Sequence, residues 1–204
     1  MKPAHLLDYG VGNIGSLTAL LEALGYTATL TAEPEVIRNS PLLILPGVGS
    51  ASTAMRQLHE KNILAALTAR HEAKKPIVGV CLGAQLLFSY LEESESAGLG
   101  FLPGTVARLQ GRTHFNTGWC RLDWNEFKPH GYATSLKPVD SFFFNHQYVF
   151  PRESIPGCVT IEGRPDIPAV YFTPHLCGIQ FHPEKSQVQG RTLIRNIFRH
   201  YHGL

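Results

Sequence analysis

Short apolar runs alternate with amphipathic stretches from His5 to Phe88. His5-Leu6-Leu7-Asp8-Tyr9 reads as a first strand. Ser16 to Leu24 carries Leu17, Leu20, Leu21 and Leu24 at the i, i+3, i+4, i+7 spacing of an amphipathic helix, with Gly25 at its end. Thr27 to Thr31 predicts a second strand, and Leu42-Leu43-Ile44-Leu45 a buried third. Helical spacing follows from Ala51 to Leu58 and from Ile63 to Arg70. Ile77 to Val80 is another buried strand. It stops at Cys81, and a helix-like pattern starts at once beyond it and runs to Phe88.

The texture then changes. Glu92-Glu93-Ser94-Glu95-Ser96 is polar, and Gly100 to Leu109 predicts a loop and a strand. From Thr113 to Val170 turn residues separate short β-like runs, notably Phe142-Phe143-Phe144 and Gln147 to Phe150. Pro-Gly and Arg-Pro pairs mark turns here and no linker. Cys177-Gly178-Ile179-Gln180-Phe181 reads as a last strand ending at His182-Pro183-Glu184. A closing helix runs from Gln187 to Tyr201 with Leu193, Ile194, Ile197 and Phe198 on one face.

This alternation predicts an α/β fold. We expect an open, mostly parallel, twisted sheet with helices on both faces, plus a smaller antiparallel β portion. One domain should span residues 1–204. Ligands of such sheets bind at the carboxyl ends of the strands, which is where Asn13, Gly47 to Gly49 and Cys81 should lie.

Composition narrows the chemistry. The chain has 204 residues, 44% of them hydrophobic, and a net charge of +2. That charge is too mild to make nucleic acid or a membrane surface the main partner. Four scattered cysteines form no C-x-x-C pair, and ten dispersed histidines make no zinc spacing, so no metal is expected. The first residues, Met1 to His5, show no signal pattern, and no apolar run has the length of a membrane span. A cytoplasmic protein with reduced thiols is expected.

Cys81 stands in Gly79-Val80-Cys81-Leu82-Gly83, a G-x-C-x-G pattern at a strand-to-helix junction. A nucleophile elbow places its reactive residue at such a point, with small neighbours for close backbone approach. The helix N-terminus behind it favours a thiolate. The same residues also fit a buried core cysteine. A thiol nucleophile needs a base, and the base needs an orienting group. His182 and Glu184 supply both; i and i+2 share a side of an extended chain, and Pro183 favours extended backbone at His182. Gly10, Gly12 and Gly15 match G-x-G-x-x-G, but only Glu33 could serve as the acidic partner on a ribose. A tight strand-to-helix turn accounts for them better.

G-V-C-L-G-A-Q at Gly79 to Gln85 with F-H-P-E at Phe181 to Glu184 resembles the triad glutamine amidotransferases. D-Y-G-V-G-N-I-G-S at Asp8 to Ser16, L-P-G-V-G at Leu45 to Gly49, Gly118-Trp119 and H-P-E-K-S at His182 to Ser186 extend the likeness over nearly the whole chain. They are most similar to the branch of glutaminase subunits in imidazole glycerol phosphate synthase. The resemblance implies no cofactor, and glutamine as substrate. It implies a (β/α)8-barrel cyclase partner that takes the ammonia, as a one-to-one complex. It also implies roles. Cys81 would form a γ-glutamyl thioester, His182 would act as base and acid, and Glu184 would orient His182. Backbone N–H groups of Leu82 and of Gly47, Val48 and Gly49 would hold the oxyanion. Gln85, Glu93, His146, Gln147 and Tyr148 match positions along the bound glutamine, and Asn13, Trp119 and Lys185 match positions at the cyclase interface. The chain departs from the branch at Asn116-Thr117, where a His-hydrophobe pair is usual, at Cys120, where asparagine is usual, and within Phe144 to Tyr148. These departures keep open a relative that feeds ammonia to a sugar-modifying enzyme of surface polysaccharide synthesis.

Overall fold

A computed structural model describes residues 2–110, 114–125, 133, 135–155 and 157–202. Thr113, the start of the expected run of short strands, lies outside the described residues, as do Met1 and the last two positions of the expected domain.

The first half follows the alternation. β1 (Lys2–Leu7), α1 (Ile14–Ala23), β2 (Tyr26–Thr31), α2 (Pro34–Asn39), β3 (Leu43–Leu45), α3 (Ala51–Glu60), α4 (Leu64–Glu72) and β4 (Ile77–Val80) come in order. The helix expected from beyond Cys81 to Phe88 is a single turn, α5 (Leu82–Gln85). Phe88 already belongs to β5 (Phe88–Leu91). Leu86 and Leu87 are buried on their way into that strand, so an all-round apolar run here meant a chain enclosed on every side.

Beyond β5 come β6 (Ser96–Ala97), β7 (Leu102–Arg108), β8 (Asn116–Asp123), β9 (Ser141–His146), β10 (Tyr148–Val149), β11 (Cys158–Ile161), β12 (Arg164–Phe172), β13 (Leu176–Ile179) and α6 (Gln187–His202). A nine-stranded sheet has the order β2-β1-β3-β4-β13-β12-β11-β8-β9. Its first five strands are parallel and its last four join antiparallel. Most of the antiparallel strands therefore extend the main sheet. The smaller sheet, β10-β7-β5-β6, is mixed, because β5 and β7 run parallel.

Side-chain alternation splits the core between the two faces of the main sheet. Leu6, Ile44, Val78 and Ile179 pack with Leu17, Leu20 and Leu21 of α1 and Leu193, Ile197 and Phe198 of α6. Leu7, Leu43, Leu45 and Ile77 pack with Ile37 of α2, Ala54 and Leu58 of α3 and Leu67 of α4. Helices thus cover both faces, and the carboxyl ends of β1, β3, β4 and β13 stay open at one edge. At the opposite ends, the fully buried Arg70 ties the carbonyls of Ile37, Ser40 and Pro76 together at 2.7–3.1 Å, joining the segments that enter β3 and β4. Among the described residues no helix is long and apolar enough to cross a membrane.

Candidate active site

Between β4 and α5 the chain turns on one residue. Cys81 does so at φ +54° and ψ −115°, a conformation that costs a non-glycine residue about 1–3 kcal/mol. Its N–H donates to the Ile179 carbonyl at 2.7 Å, which pins the turn to the end of β13. Three glycines allow the close stacking this needs. A Cβ on Gly79 would sit 2.5 Å from Ala84 Cα, one on Gly83 1.9 Å from the Leu45 carbonyl oxygen, and one on Gly47 2.4 Å from Gly83 N. The Pro46 to Gly49 loop therefore rests against the start of α5. Buried Tyr9 holds that loop from below, donating its hydroxyl to the Pro46 carbonyl. Cys81 is no sealed core cysteine: it lines a cavity of about 680 Å3.

His182 lines the same cavity, with the Glu184 side chain buried behind it, by a different route from the expected one. β13 stops at Ile179, His182 stays extended at φ −97° and ψ +96°, and Pro183 to Lys185 form a 3₁₀ turn. That turn, and not strand alternation, brings the Glu184 carboxylate back to His182, with Oε1 2.9 Å from Nδ1. Ser186 fixes the turn by donating to the His182 carbonyl at 2.6 Å and accepting the Phe143 N–H at 3.0 Å. Burial disfavours a charged imidazole here, yet hydrogen bonds to Cys81 and Glu184 and the charges beside it win, raising His182 to about 9. The order along the edge is thiol, imidazole, carboxylate, as a thiol nucleophile with a positioned base requires.

The other expected residues fall around this edge. Val48, Gly49, Leu82, Gln147 and Tyr148 line the cavity, while Gly47 supplies the packing behind them. Asn13 lines it too and donates to Glu184 Oε1 at 3.3 Å, so it supports the carboxylate as well as facing outward. Gln85 is buried and not part of a solvent-facing helix surface. Its Nε2 donates to the Tyr148 carbonyl and to Gln180 Oε1, both at 3.0 Å. Glu93 lines the cavity and accepts the Ala51 N–H at 2.9 Å, capping α3. Lys185 lies on the rim with Nζ 5.7 Å from the Phe143 ring centre. Trp119 does not line the cavity; it is 48% exposed on β8, edge-on to Phe143. Gly12 lines the cavity and Glu33 does not, which fits the turn reading of the glycine triplet.

His146 sits opposite Asn116 in the β8–β9 ladder. Asn116 Nδ2 is 2.9 Å from His146 Nε2, and His146 Nδ1 is 2.9 Å from the Tyr148 carbonyl. A carbonyl only accepts, so Nδ1 carries the proton and Nε2 accepts from the amide. Burial leads the causes that lower His146 to about 4. Its departure residue Asn116 thus completes a neutral pair. The unfolded chain takes up this proton near pH 6.5 and the folded chain only near 4. Stability should therefore fall as pH drops through that window, by up to about 3 kcal/mol. Urea midpoints from pH 7 to 4 measure this, and His146→Gln should flatten that part of the curve.

The sequence patterns gave no site role to Gln180 or Tyr9 and marked Asn116 only as a departure from the branch. Gln180 left a trace as an amide between Ile179 and Phe181 in an otherwise apolar strand end.

Residues 5–201 match the family described as glutamine amidotransferase class-I. The chain is 36% identical over 202 residues to imidazole glycerol phosphate synthase subunit HisH of Moorella thermoacetica, covering 97% of this chain and 94% of that protein. It is 34% identical over 197 residues to the same subunit of Microcystis aeruginosa, covering 94% and 92%. A crystal structure of a glutamine amidotransferase superposes with a TM-score of 0.73 at 22% identity, over 98% of this chain and 99% of that one, and speaks to the fold alone. With these relatives and this elbow, the chain belongs to the class-I glutamine amidotransferases.

Proposed function

We propose that this chain acts as one glutaminase unit, the glutamine-hydrolysing subunit of imidazole glycerol phosphate synthase. It passes ammonia to a (β/α)8-barrel cyclase in the cytoplasm. The hydrogen-bonded sequence of Cys81, His182 and Glu184 at one cavity wall carries the reading. The similarity to subunits of that synthase supports the choice of acceptor.

The Cys81 sulfur, as the thiolate whose proton His182 holds, attacks the side-chain amide carbon of glutamine. The oxygen gains negative charge and is held by backbone N–H groups of Leu82 and the Gly47 to Gly49 loop, worth about 3–4 kcal/mol each in the transition state. With its imidazole raised to about 9, His182 enters already holding the proton that the leaving ammonia needs. Loss of ammonia leaves a γ-glutamyl thioester on Cys81. The now neutral His182 takes a proton from water, which attacks the thioester and releases glutamate. Glu184 and Asn13 hold the imidazole in register. Gln85, Glu93, His146, Gln147 and Tyr148 flank the amino-acid end of the substrate. Asn13, Lys185 and Trp119 face the barrel.

With the cyclase and its ribotide substrate present, 15N from the glutamine side-chain amide should appear in the imidazole ring of the product. Label found in an aminated sugar, or released only as free ammonia, would overturn the choice of acceptor. The pH profile gives a second check. kcat/KM for glutamine should fall through an alkaline limb near pH 9 as His182 loses its proton. Glu184→Gln should move that limb down toward the ordinary histidine range. A limb that stays in place would separate Glu184 from His182.

A further inference from the structure

We infer that Gln180 is a positioning residue for the nucleophile. It donates a side-chain N–H to the Cys81 sulfur at the end of a hydrogen-bond chain whose direction is set by the Tyr148 carbonyl. The inference rests on the glutaminase reading and adds a residue to its machinery.

The direction is forced step by step. The Tyr148 carbonyl oxygen can only accept. It receives His146 Nδ1 at 2.9 Å and the Gln85 amide at 3.0 Å, so the Gln85 atom facing it is nitrogen. The same nitrogen is 3.0 Å from the Gln180 amide, so the Gln180 atom facing it is oxygen. The Gln180 amino group then points toward Cys81, with Nε2 4.0 Å from Sγ. Gln180 is fully buried, and its own N–H is held by the Ala169 carbonyl at 2.8 Å, so the side chain does not swing away to solvent. A donor aimed at sulfur favours the thiolate over the thiol and holds the sulfur against rotation. Titratable groups facing that sulfur include His182 across the cavity wall and Tyr9 from the end of β1, and Glu93, His146 and Lys185 line the same cavity.

The chain also assigns a task to Gln85. Both hydrogens of its amide are committed inside the protein, so it can offer glutamine only its oxygen. A substrate that draws on the His146 to Tyr148 segment therefore meets the same segment whose Tyr148 carbonyl orients the nucleophile's donor.

The rate of Cys81 alkylation by iodoacetamide, followed against pH in the purified chain, reads the thiolate directly. Gln180→Leu should shift this profile upward. Gln180→Glu retains an acceptor for Gln85 and offers sulfur no donor, and should shift it further. Folded variants with the parent profile overturn the inference. A test without any Gln180 variant is the 15N side-chain amide signal of Gln180 in the parent chain. It should titrate with Cys81 and lose that step in Cys81→Ala; a flat signal in the parent overturns the inference even if both variants fail to fold. Neither readout needs glutamine turnover. A failed inference with intact catalysis, and failed catalysis with an intact alkylation shift, are therefore distinct results.

Discussion

Cys81→Ala should lower glutamine hydrolysis about 10⁶-fold, to the level left by the cavity and its N–H groups alone. The substitution removes one sulfur atom from the wall of an open cavity and keeps a side chain at the strained φ of +54°, so the elbow itself should persist. Without the sulfur there is no thioester, and His182 and Glu184 have no nucleophile to serve. The same variant, mixed with the cyclase, should still make product when ammonium is supplied, because external ammonia enters after the step that Cys81 performs. Glutamate release and ammonium-driven synthesis, measured on one preparation, check both halves. Surviving glutamine-dependent turnover would assign the chemistry to another group and remove the roles given to His182 and Glu184.

The parts of the site that follow the chain locally were readable in it. Gly79, Cys81 and Gly83 are close in sequence, and their turn is a local event. His182 and Glu184 lie two residues apart, and their pairing was legible although its cause was not: a 3₁₀ turn, locked by Ser186, does what strand alternation was expected to do. The parallel strands announced themselves as apolar runs because both their faces are covered. What stayed hidden depends on register between distant segments. Asn116 meets His146 because β8 and β9 pair in one particular alignment, and no property of Asn116-Thr117 encodes that alignment. Gln180 meets Gln85 across 95 residues of chain. β5 and its parallel pairing with β7 were masked by the apolar run through Leu86 and Leu87, which fits a helix as well as a strand. Chemistry-bearing residue types could be found one at a time; the amide chain that directs them required the fold.

Gly83→Ala should disable the enzyme without touching any reacting atom, lowering kcat by about 10² or more. The new Cβ would stand 1.9 Å from the Leu45 carbonyl oxygen and 2.9 Å from that of Pro46. Both are backbone atoms at the end of β3, so no side-chain rotation relieves the overlap. α5 or the Pro46 to Gly49 loop must move, and each carries backbone N–H groups proposed above to hold the oxyanion. The shift also acts on Cys81, whose carbonyl accepts the Ala84 N–H at 3.1 Å and whose N–H is bound to Ile179. The same exchange at Gly15 in α1 meets no atom within 4 Å and should be neutral or stabilising by under about 1 kcal/mol. Alkylation of Cys81 separates the causes: in Gly83→Ala its rate should change along with kcat, because the elbow itself has moved. A Gly83→Ala chain that hydrolyses glutamine normally would show that the close contact between β3 and α5 does not position the nucleophile, and that the three glycines serve packing alone.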